Sequence, residues 1–230
     1  MIGIIGAMEE EVAKLKENMQ IEKELTKASM VFCQGTLNGK EVVVVRSGIG
    51  KVNAAMCVQI LVDEFQVEGV MNTGIAGSLD ARIDIGDIVI SKDTLQHDMD
   101  ATNFGYALGE VPRLGTLAFM ADEHYVELAK EANAMVNPEI HTFVGRIVSG
   151  DCFVSSKEVK ERIKKNFDAY CTEMEGAAIA QAAWLNKIPF VIIRAISDKA
   201  DDSAAMAYEE FEKQAIAHSV RLTEKFVELL

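Results

Sequence analysis

Residues Met1–Glu11, MIGIIGAMEEE, place a short apolar β segment directly before a helical one. Ile2 to Ile5 predict the first strand, and apolar side chains at helical spacing predict a helix over residues 8–19. The same change from a β pattern to a helical pattern recurs along the chain. This alternation predicts an α/β protein with a mostly parallel sheet.

The remaining elements follow from the same patterns. Further strands are predicted at residues 30–34, 41–45, 69–71, 87–90, 142–148, 169–172 and 189–193. Further helices are predicted at residues 52–65, 122–135, 157–165 and 205–229, with a small-residue helix ending at Leu185. Asn38-Gly39 predicts a hairpin turn. Residues 72–78 are predicted to be a loop, and no linker composition interrupts the chain, so we expect one domain over 1–230.

Composition excludes several classes of protein. The chain has 230 residues with 36 acidic and 23 basic side chains, a formal charge of -13, which disfavours nucleic acid and anionic membranes as partners. No apolar run reaches the roughly 20 residues of a membrane span, and no signal peptide is recognisable. Four isolated cysteines indicate a reducing compartment, so we expect a cytoplasmic protein. Four widely spaced histidines give no support to a metal site.

Three carboxylates lie just after predicted strands, where parallel sheets bind ligands. Glu11 flanks the apolar stripe of its helix and is a candidate base, although acidic residues in a first turn also serve the helix dipole. Glu175 shares a helical face with small apolar residues and should point inward, where it needs a hydrogen-bonding partner. Asp198 follows the most apolar strand, either as a turn residue or as a general acid in a dry pocket.

Two glycine-bearing segments, residues 48–51 and 74–77, complete neither a Rossmann fingerprint nor a Walker A motif. They indicate instead that backbone lies close to a ligand. Several carboxylates at one crevice, without a metal motif or a nucleophilic Ser or Cys, favour acid/base hydrolysis of a glycosidic-type bond.

Six motifs occur in order along the chain, and together they carry a resemblance to a known family. They are GIIGAMEEE (3–11), SGIGKV (47–52), NTG (72–74), SGD (149–151), EME (173–175) and RAISD (194–198). The chain resembles, over essentially its whole length, the bacterial 5'-methylthioadenosine/S-adenosylhomocysteine nucleosidases of the purine nucleoside phosphorylase superfamily.

The resemblance implies a three-layer α/β fold with a central mixed, partly barrel-like sheet flanked by helices, and a homodimer. It also implies an N-glycosyl hydrolase of methionine salvage that needs no cofactor or metal and releases adenine from methylthioadenosine and adenosylhomocysteine. By position, Glu11 would activate water and Asp198, oriented by Ser197, would protonate purine N7. Glu175 would bind the ribose hydroxyls. The other implied substrate-binding residues are Met174, Phe153, Val154, Gly77, Ala76, Met8, Ile49 and Tyr208, while Phe104 and Pro112 would come from the partner subunit.

Three positions depart from the family pattern: Ile75 where serine is frequent, Tyr208 where phenylalanine is common, and Ala101 in place of valine. They leave substrate preference at the 5' position open. The alternatives are hydrolysis of 6-amino-6-deoxyfutalosine, a phosphate-dependent nucleoside phosphorylase, and a non-enzymatic nucleoside-binding protein.

Overall fold

The structure, a computed structural model, describes residues 1–230. Its eleven strands are β1 Ile2–Gly6, β2 Gln20–Lys27, β3 Met30–Leu37, β4 Lys40–Arg46, β5 Gly69–Asn72, β6 Ile75–Ser78, β7 Ile88–Gln96, β8 Phe119–Met120, β9 Thr142–Ser149, β10 Cys171–Glu173 and β11 Phe190–Asp198. Its six α-helices are α1 Glu9–Asn18, α2 Lys51–Phe65, α3 Glu123–Val136, α4 Lys157–Phe167, α5 Gly176–Leu185 and α6 Ala204–Leu229. A 3-10 helix, Thr102–Phe104, lies in the long connection after β7.

All strands belong to one mixed sheet with the order β2-β3-β4-β1-β5-β11-β6-β10-β9-β7-β8. β11 also pairs with β7, so that β11, β6, β10, β9 and β7 close into a five-stranded barrel. The first half of β11 pairs with β5, and its second half pairs with β6. The expected α/β fold with a mixed, partly barrel-like sheet is thereby confirmed.

The helices flank this sheet in two groups. α2 packs against α5, whereas α6 packs against α1, α3 and β11. A continuous core of 53 buried residues runs between these layers. None of the helices combines the length and the apolar character needed to cross a membrane.

The hairpin prediction is confirmed, since β3 and β4 are antiparallel and joined at Asn38 and Gly39, both with positive φ. β2 was not predicted. Its sequence QIEKELTK has only two apolar residues, and it is exposed at the edge of the sheet, where it pairs with β3 and packs Leu25 against the core.

The prediction of a loop throughout residues 72–78 was wrong. Ile75–Ser78 form β6, a completely buried strand of small residues between β11 and β10. Its short IAGS sequence lacks the β-branched run by which strands are recognised, and barrel closure supplies its hydrogen bonds. β7 and β11 also extend beyond the predicted residues 87–90 and 189–193, which makes Asp198 the last residue of its strand rather than a residue after it.

Candidate active site

A cavity of about 530 Å³ opens where β1, β6, β10 and β11 end and where α6 begins. Eleven of the twelve residues predicted to act within one subunit line it. They are Met8, Glu11, Ile49, Ala76, Gly77, Phe153, Met174, Glu175, Ser197, Asp198 and Tyr208. The strand ends therefore bring together residues that are up to 200 positions apart in the chain.

Glu11 is held by backbone N–H groups on three sides. Its Oε2 accepts hydrogen bonds from Ala7 at 2.7 Å and Met8 at 3.0 Å, and its Oε1 accepts one from Ile75 at 3.2 Å. Each carboxylate oxygen has two lone pairs, so Oε1 keeps one acceptor position for a water molecule. Burial raises the pKa of Glu11, although these hydrogen bonds and the charge of Arg194 oppose the rise.

Glu11 also completes the N-terminus of α1, since its carboxylate accepts the N–H of the N-cap residue Met8. The helix-capping role and the candidate catalytic role therefore coexist in one side chain. Gly74 makes room for it, because a Cβ atom at Gly74 would lie 2.6 Å from Glu11 Oε1.

Asp198 lines the same cavity from the end of β11. Its Oδ1 accepts a hydrogen bond from the Ala200 N–H at 2.7 Å, and its Oδ2 accepts one from the Ser197 hydroxyl at 2.9 Å. Burial raises the pKa of Asp198, while these two hydrogen bonds oppose the rise. The predicted turn contact and a carboxyl group suited to proton donation are therefore both present. A Cβ atom at Gly77 would lie 2.7 Å from Asp198 Oδ1, so glycine is needed for the close approach of β6.

Glu175 is the N-cap of α5, one residue before the helix, and accepts the Gly50 N–H at 2.8 Å. Burial and the nearby charge of Glu173 raise the pKa of Glu175. Met174, the residue before it, lines the same cavity.

Glu173 and Arg194 were not predicted to have a role at the site. Arg194 Nη2 donates to Glu173 Oε2 at 2.5 Å and also to Asn72 Oδ1, and the Arg194 side chain is 2% exposed. Glu173 further accepts the N–H groups of Glu175 at 2.9 Å and Gly176 at 2.7 Å. Burial alone would raise the pKa of Glu173, but Arg194 and the Ser149 hydroxyl bring it below its ordinary value. An arginine after four apolar strand residues was the available signal, since such a cation needs a buried partner.

Aromatic and apolar side chains form the mouth of the cavity. The rings of Phe153 and Tyr208 meet edge to face with centroids 6.0 Å apart. The Tyr208 hydroxyl donates to Glu212 at 2.9 Å and lies 3.4 Å from the Met8 sulfur. Phe153 is half exposed, which leaves a ring face free for a planar ligand.

Three predicted residues lie outside the main cavity. Val154 is buried and lines a neighbouring cavity of about 30 Å³ that shares Phe153, Gly77 and Asp198 with the larger one. Phe104 is 84% exposed on the 3-10 helix, and Pro112 follows it in the same connection. Neither Phe104 nor Pro112 lines the cavity of its own subunit.

The charge of the cavity is one-sided. Glu11, Glu173, Glu175, Asp198 and Glu209 line it, whereas no Lys, Arg or His does. Arg194 does not line the cavity, and its guanidinium group donates hydrogen bonds to Glu173, Asn72 and the Ile193 carbonyl. No three His, Cys, Asp or Glu side chains are grouped so as to hold a metal ion. Such a cavity favours a ligand that is neutral or that becomes cationic.

Comparison with known proteins gives a consistent result. The family model described as Phosphorylase superfamily matches residues 1–228. The 5'-methylthioadenosine/S-adenosylhomocysteine nucleosidase of Staphylococcus haemolyticus is 43% identical over 232 residues, covering all of both chains.

Solved structures agree with the sequence matches. The nucleosidase of the same name from Neisseria meningitidis, in complex with methylthio-immucillin-A, has a TM-score of 0.96 at 42% identity and covers 100% of this chain and 99% of its own. The one from Colwellia psychrerythraea 34H, in complex with adenine, has a TM-score of 0.96 at 43% identity, covering 100% and 95%. The futalosine hydrolase of Helicobacter pylori has a TM-score of 0.93 at 34% identity, covering 100% and 97%.

Proposed function

The chain belongs to the phosphorylase superfamily and, within it, to the 5'-methylthioadenosine/S-adenosylhomocysteine nucleosidases, and on this premise we propose that it hydrolyses the N-ribosidic bond of both nucleosides. Adenine and the 5'-thioribose compound are the products. The observation that carries the proposal is a cavity lined by two buried carboxyl groups from different elements, Glu11 on α1 and Asp198 on β11, with no cationic side chain in its lining.

The reaction divides between the two sides of the cavity. Asp198 gives its proton to N7 of the purine, so that the bond between N9 and C1' breaks with its electron pair going to a neutral adenine. The raised pKa of Asp198 favours the protonated form that this step needs. Ser197 holds the carboxyl group through its hydroxyl, and Phe153 stacks on the purine while the Val154 backbone bonds its edge.

The ribose side supplies the water. Water bound at the free acceptor position of Glu11 Oε1 attacks C1' and gives a proton to that carboxylate. Glu175 binds the ribose hydroxyls and, with Glu11, stabilises the positive charge that develops on the sugar more than it stabilises the ground state. Met8, Ile49, Met174, Ala76, Gly77 and Tyr208 enclose the rest of the nucleoside.

Phosphate is a poor co-substrate for this cavity. A phosphorylase must hold a dianion beside C1', and here the lining residues include five acidic side chains and no Lys, Arg or His. Hydrolysis is therefore favoured over phosphorolysis. The same chemistry, with acid, base and ligand-facing positions all present, also disfavours a protein that only binds nucleosides.

One alternative substrate has specific support. The similarity to a futalosine hydrolase across the whole chain favours 6-amino-6-deoxyfutalosine as a second substrate, because its adenine-ribose core meets the same residues.

We further propose that the active unit is a homodimer in which the partner's Phe104 and the partner's Pro112 cover the 5'-alkylthio group. Phe104 is largely exposed although apolar, and Val52 and Met56 on α2 are exposed as well. All four cysteines are free, and three of them are buried, which supports a reducing, cytoplasmic location.

The experiment that tests the proposal is an assay of adenine release from methylthioadenosine, adenosylhomocysteine, aminodeoxyfutalosine and adenosine, each with and without inorganic phosphate. We expect release from the first two in phosphate-free buffer, with the free sugar as the other product. A requirement for phosphate, or formation of a ribose 1-phosphate, would contradict hydrolysis. Binding of all four compounds without release of adenine would contradict the proposed enzymatic activity.

A further inference from the structure

Three charged residues outside the cavity form a closed set of contacts. Lys51 Nζ donates to Asp98 Oδ1 at 2.6 Å, and Asp98 Oδ2 accepts the Asp151 N–H at 3.0 Å. Asp151 Oδ1 in turn accepts the Lys51 N–H at 2.9 Å. We call these contacts the Lys51–Asp98–Asp151 ring. Its members come from three separate segments: Lys51 is the first residue of α2, and Asp98 and Asp151 lie in the connections after β7 and β9.

The ring adjoins a single hydrogen bond of the proposed active site. Gly50, the residue before Lys51, donates its N–H to Glu175. Two successive N–H groups at the start of α2 are thus held by two carboxylates, Glu175 and Asp151. α2 has no acidic residue in its own first turn, so it depends on these partners from elsewhere in the chain.

Gly50 fits between the two carboxylates only because it is glycine. Its φ is +95°, and a Cβ atom there would lie 3.2 Å from Asp151 Oδ1. A shift of Asp151 therefore moves the Gly50 N–H relative to Glu175. Phe153 lies in the same connection as Asp151. The ring therefore also links Glu175, proposed to bind the ribose, to Phe153, proposed to stack on the purine.

We propose that Lys51, Asp98 and Asp151 are positioning residues, which hold the Gly50 N–H on Glu175 without touching the substrate. This inference rests on the proposed function, in which Glu175 stabilises the charge that develops on ribose. None of the three residues lines the cavity. The contribution of the ring to stability is small, because its ion pair is partly exposed, with side-chain exposures of 17% for Lys51 and 31% for Asp98.

The electrostatics agree with this geometry. Glu175 faces Glu173 on β10, Glu11 on α1 and Arg194 on β11. Burial and Glu173 raise the pKa of Glu175, and the Gly50 hydrogen bond opposes the rise. Loss of that bond leaves Glu175 less ionised, and hence less able to stabilise a cationic sugar.

The test compares steady-state adenine release and melting temperature in five variants of the full chain. Asp151→Ala removes the acceptor for the Lys51 N–H, whereas Asp151→Asn keeps an oxygen at that position. Lys51→Met removes the ammonium but keeps the stem, and it is also combined with Asp151→Ala. Asp122→Ala is the matched control, because Asp122 caps α3 through the Tyr125 N–H at 3.0 Å, away from the cavity.

We expect Asp151→Ala and Lys51→Met each to lower kcat by about tenfold, with KM changed less than about threefold. Asp151→Asn should restore most of the loss, and the double variant should lose little more than the worse single variant, since both changes open one ring. Asp122→Ala should lower the melting temperature and leave kcat unchanged.

Three results would overturn the proposal. They are unchanged kcat in Asp151→Ala, losses that multiply in the double variant, and a fall in kcat for Asp122→Ala as large as that for Asp151→Ala. Failure of the wild-type chain to release adenine in the same assay would instead contradict the proposed function.

Discussion

Glu173 and Arg194 form an ion pair at 2.5 Å in which both side chains are almost completely buried. The pair joins β10 to β11 at the wall of the cavity, which Glu173 lines next to Glu175. Because Arg194 also donates to Asn72 and to the Ile193 carbonyl, its charge is compensated without any contribution from a ligand.

Removing the cation alone should be costly. Arg194→Met leaves Glu173 buried without its counter-ion, and we expect a loss of about 3–5 kcal/mol in the free energy of unfolding. Denaturant titration measures this loss. The double variant Arg194→Met/Glu173→Gln should recover part of it, and a single variant as stable as the wild type would show that the pair is not needed for stability.

Glu175→Gln should inactivate the protein and stabilise the ligand-free fold at pH 8. Gln keeps an oxygen acceptor for the Gly50 N–H and removes the repulsion from Glu173. Since the folded-state pKa is raised, the unfolded chain loses its proton first as the pH rises above the ordinary value of 4.5, and the wild-type fold is weakened from there upward. We expect a gain of about 1 kcal/mol at pH 8 and none at pH 4, measured by urea unfolding. An equal gain at both pH values would exclude this titration as the cause.

Asp198→Asn should lower adenine release by a factor of about 10²–10⁴ while ligand binding persists. Asn keeps an oxygen for the Ala200 N–H, so the turn after β11 is retained. Turnover of methylthioadenosine and calorimetric binding of methylthio-immucillin-A measure the two properties separately. Near-normal turnover would show that Asp198 is not the general acid.

Gly74→Ala should reproduce the loss of Glu11 without changing that residue. The added methyl group would lie 2.6 Å from Glu11 Oε1 and displace the carboxylate, for an expected fall in kcat of at least about tenfold. Glu11→Gln provides the reference loss. Gly69→Ala is the matched control, since its methyl group would lie 2.4 Å from the Tyr125 hydroxyl, away from the cavity, and should affect stability alone. Equal kcat losses in the two alanine variants would refute this reading.

A mixture of two defective variants tests whether subunits share a site. Phe104→Ala should raise KM for methylthioadenosine several-fold if the partner's Phe104 covers the 5' group, whereas Asp198→Asn removes the acid. In a mixed dimer one site pairs an intact Asp198 with an intact Phe104 from the other subunit, so a low KM should reappear on mixing. The mixed dimer is purified by means of a different tag on each subunit. A KM that stays high in this mixed dimer would refute the shared site.

The strands and helices that were predicted well are those with a clear apolar pattern in their own sequence. Strands with β-branched runs, such as residues 41–45, were located almost correctly, because burial on both faces leaves a continuous apolar sequence. β2 and β6 were missed because their stability comes from neighbouring strands, β3 in one case and the closed barrel in the other. Tertiary pairing of this kind leaves no local signal.

The candidate site was predictable where a residue lies at or after the end of a strand within a recognisable motif, as for Glu11, Glu175 and Asp198. Glu173 and Arg194 were overlooked because their importance depends on a contact between residues 21 positions apart. The contacts among Lys51, Asp98 and Asp151 could not be predicted for the same reason. The three residues lie in separate segments that only the folded chain brings together.

β11 is hydrogen bonded along both edges, to β5 and β6 on one side and to β7 on the other. Arg194 and Asp198 both lie in this strand, so its hydrogen bonds to the neighbouring strands restrain the two residues together. Amide hydrogens in the centre of β11 should therefore exchange with solvent only on global unfolding.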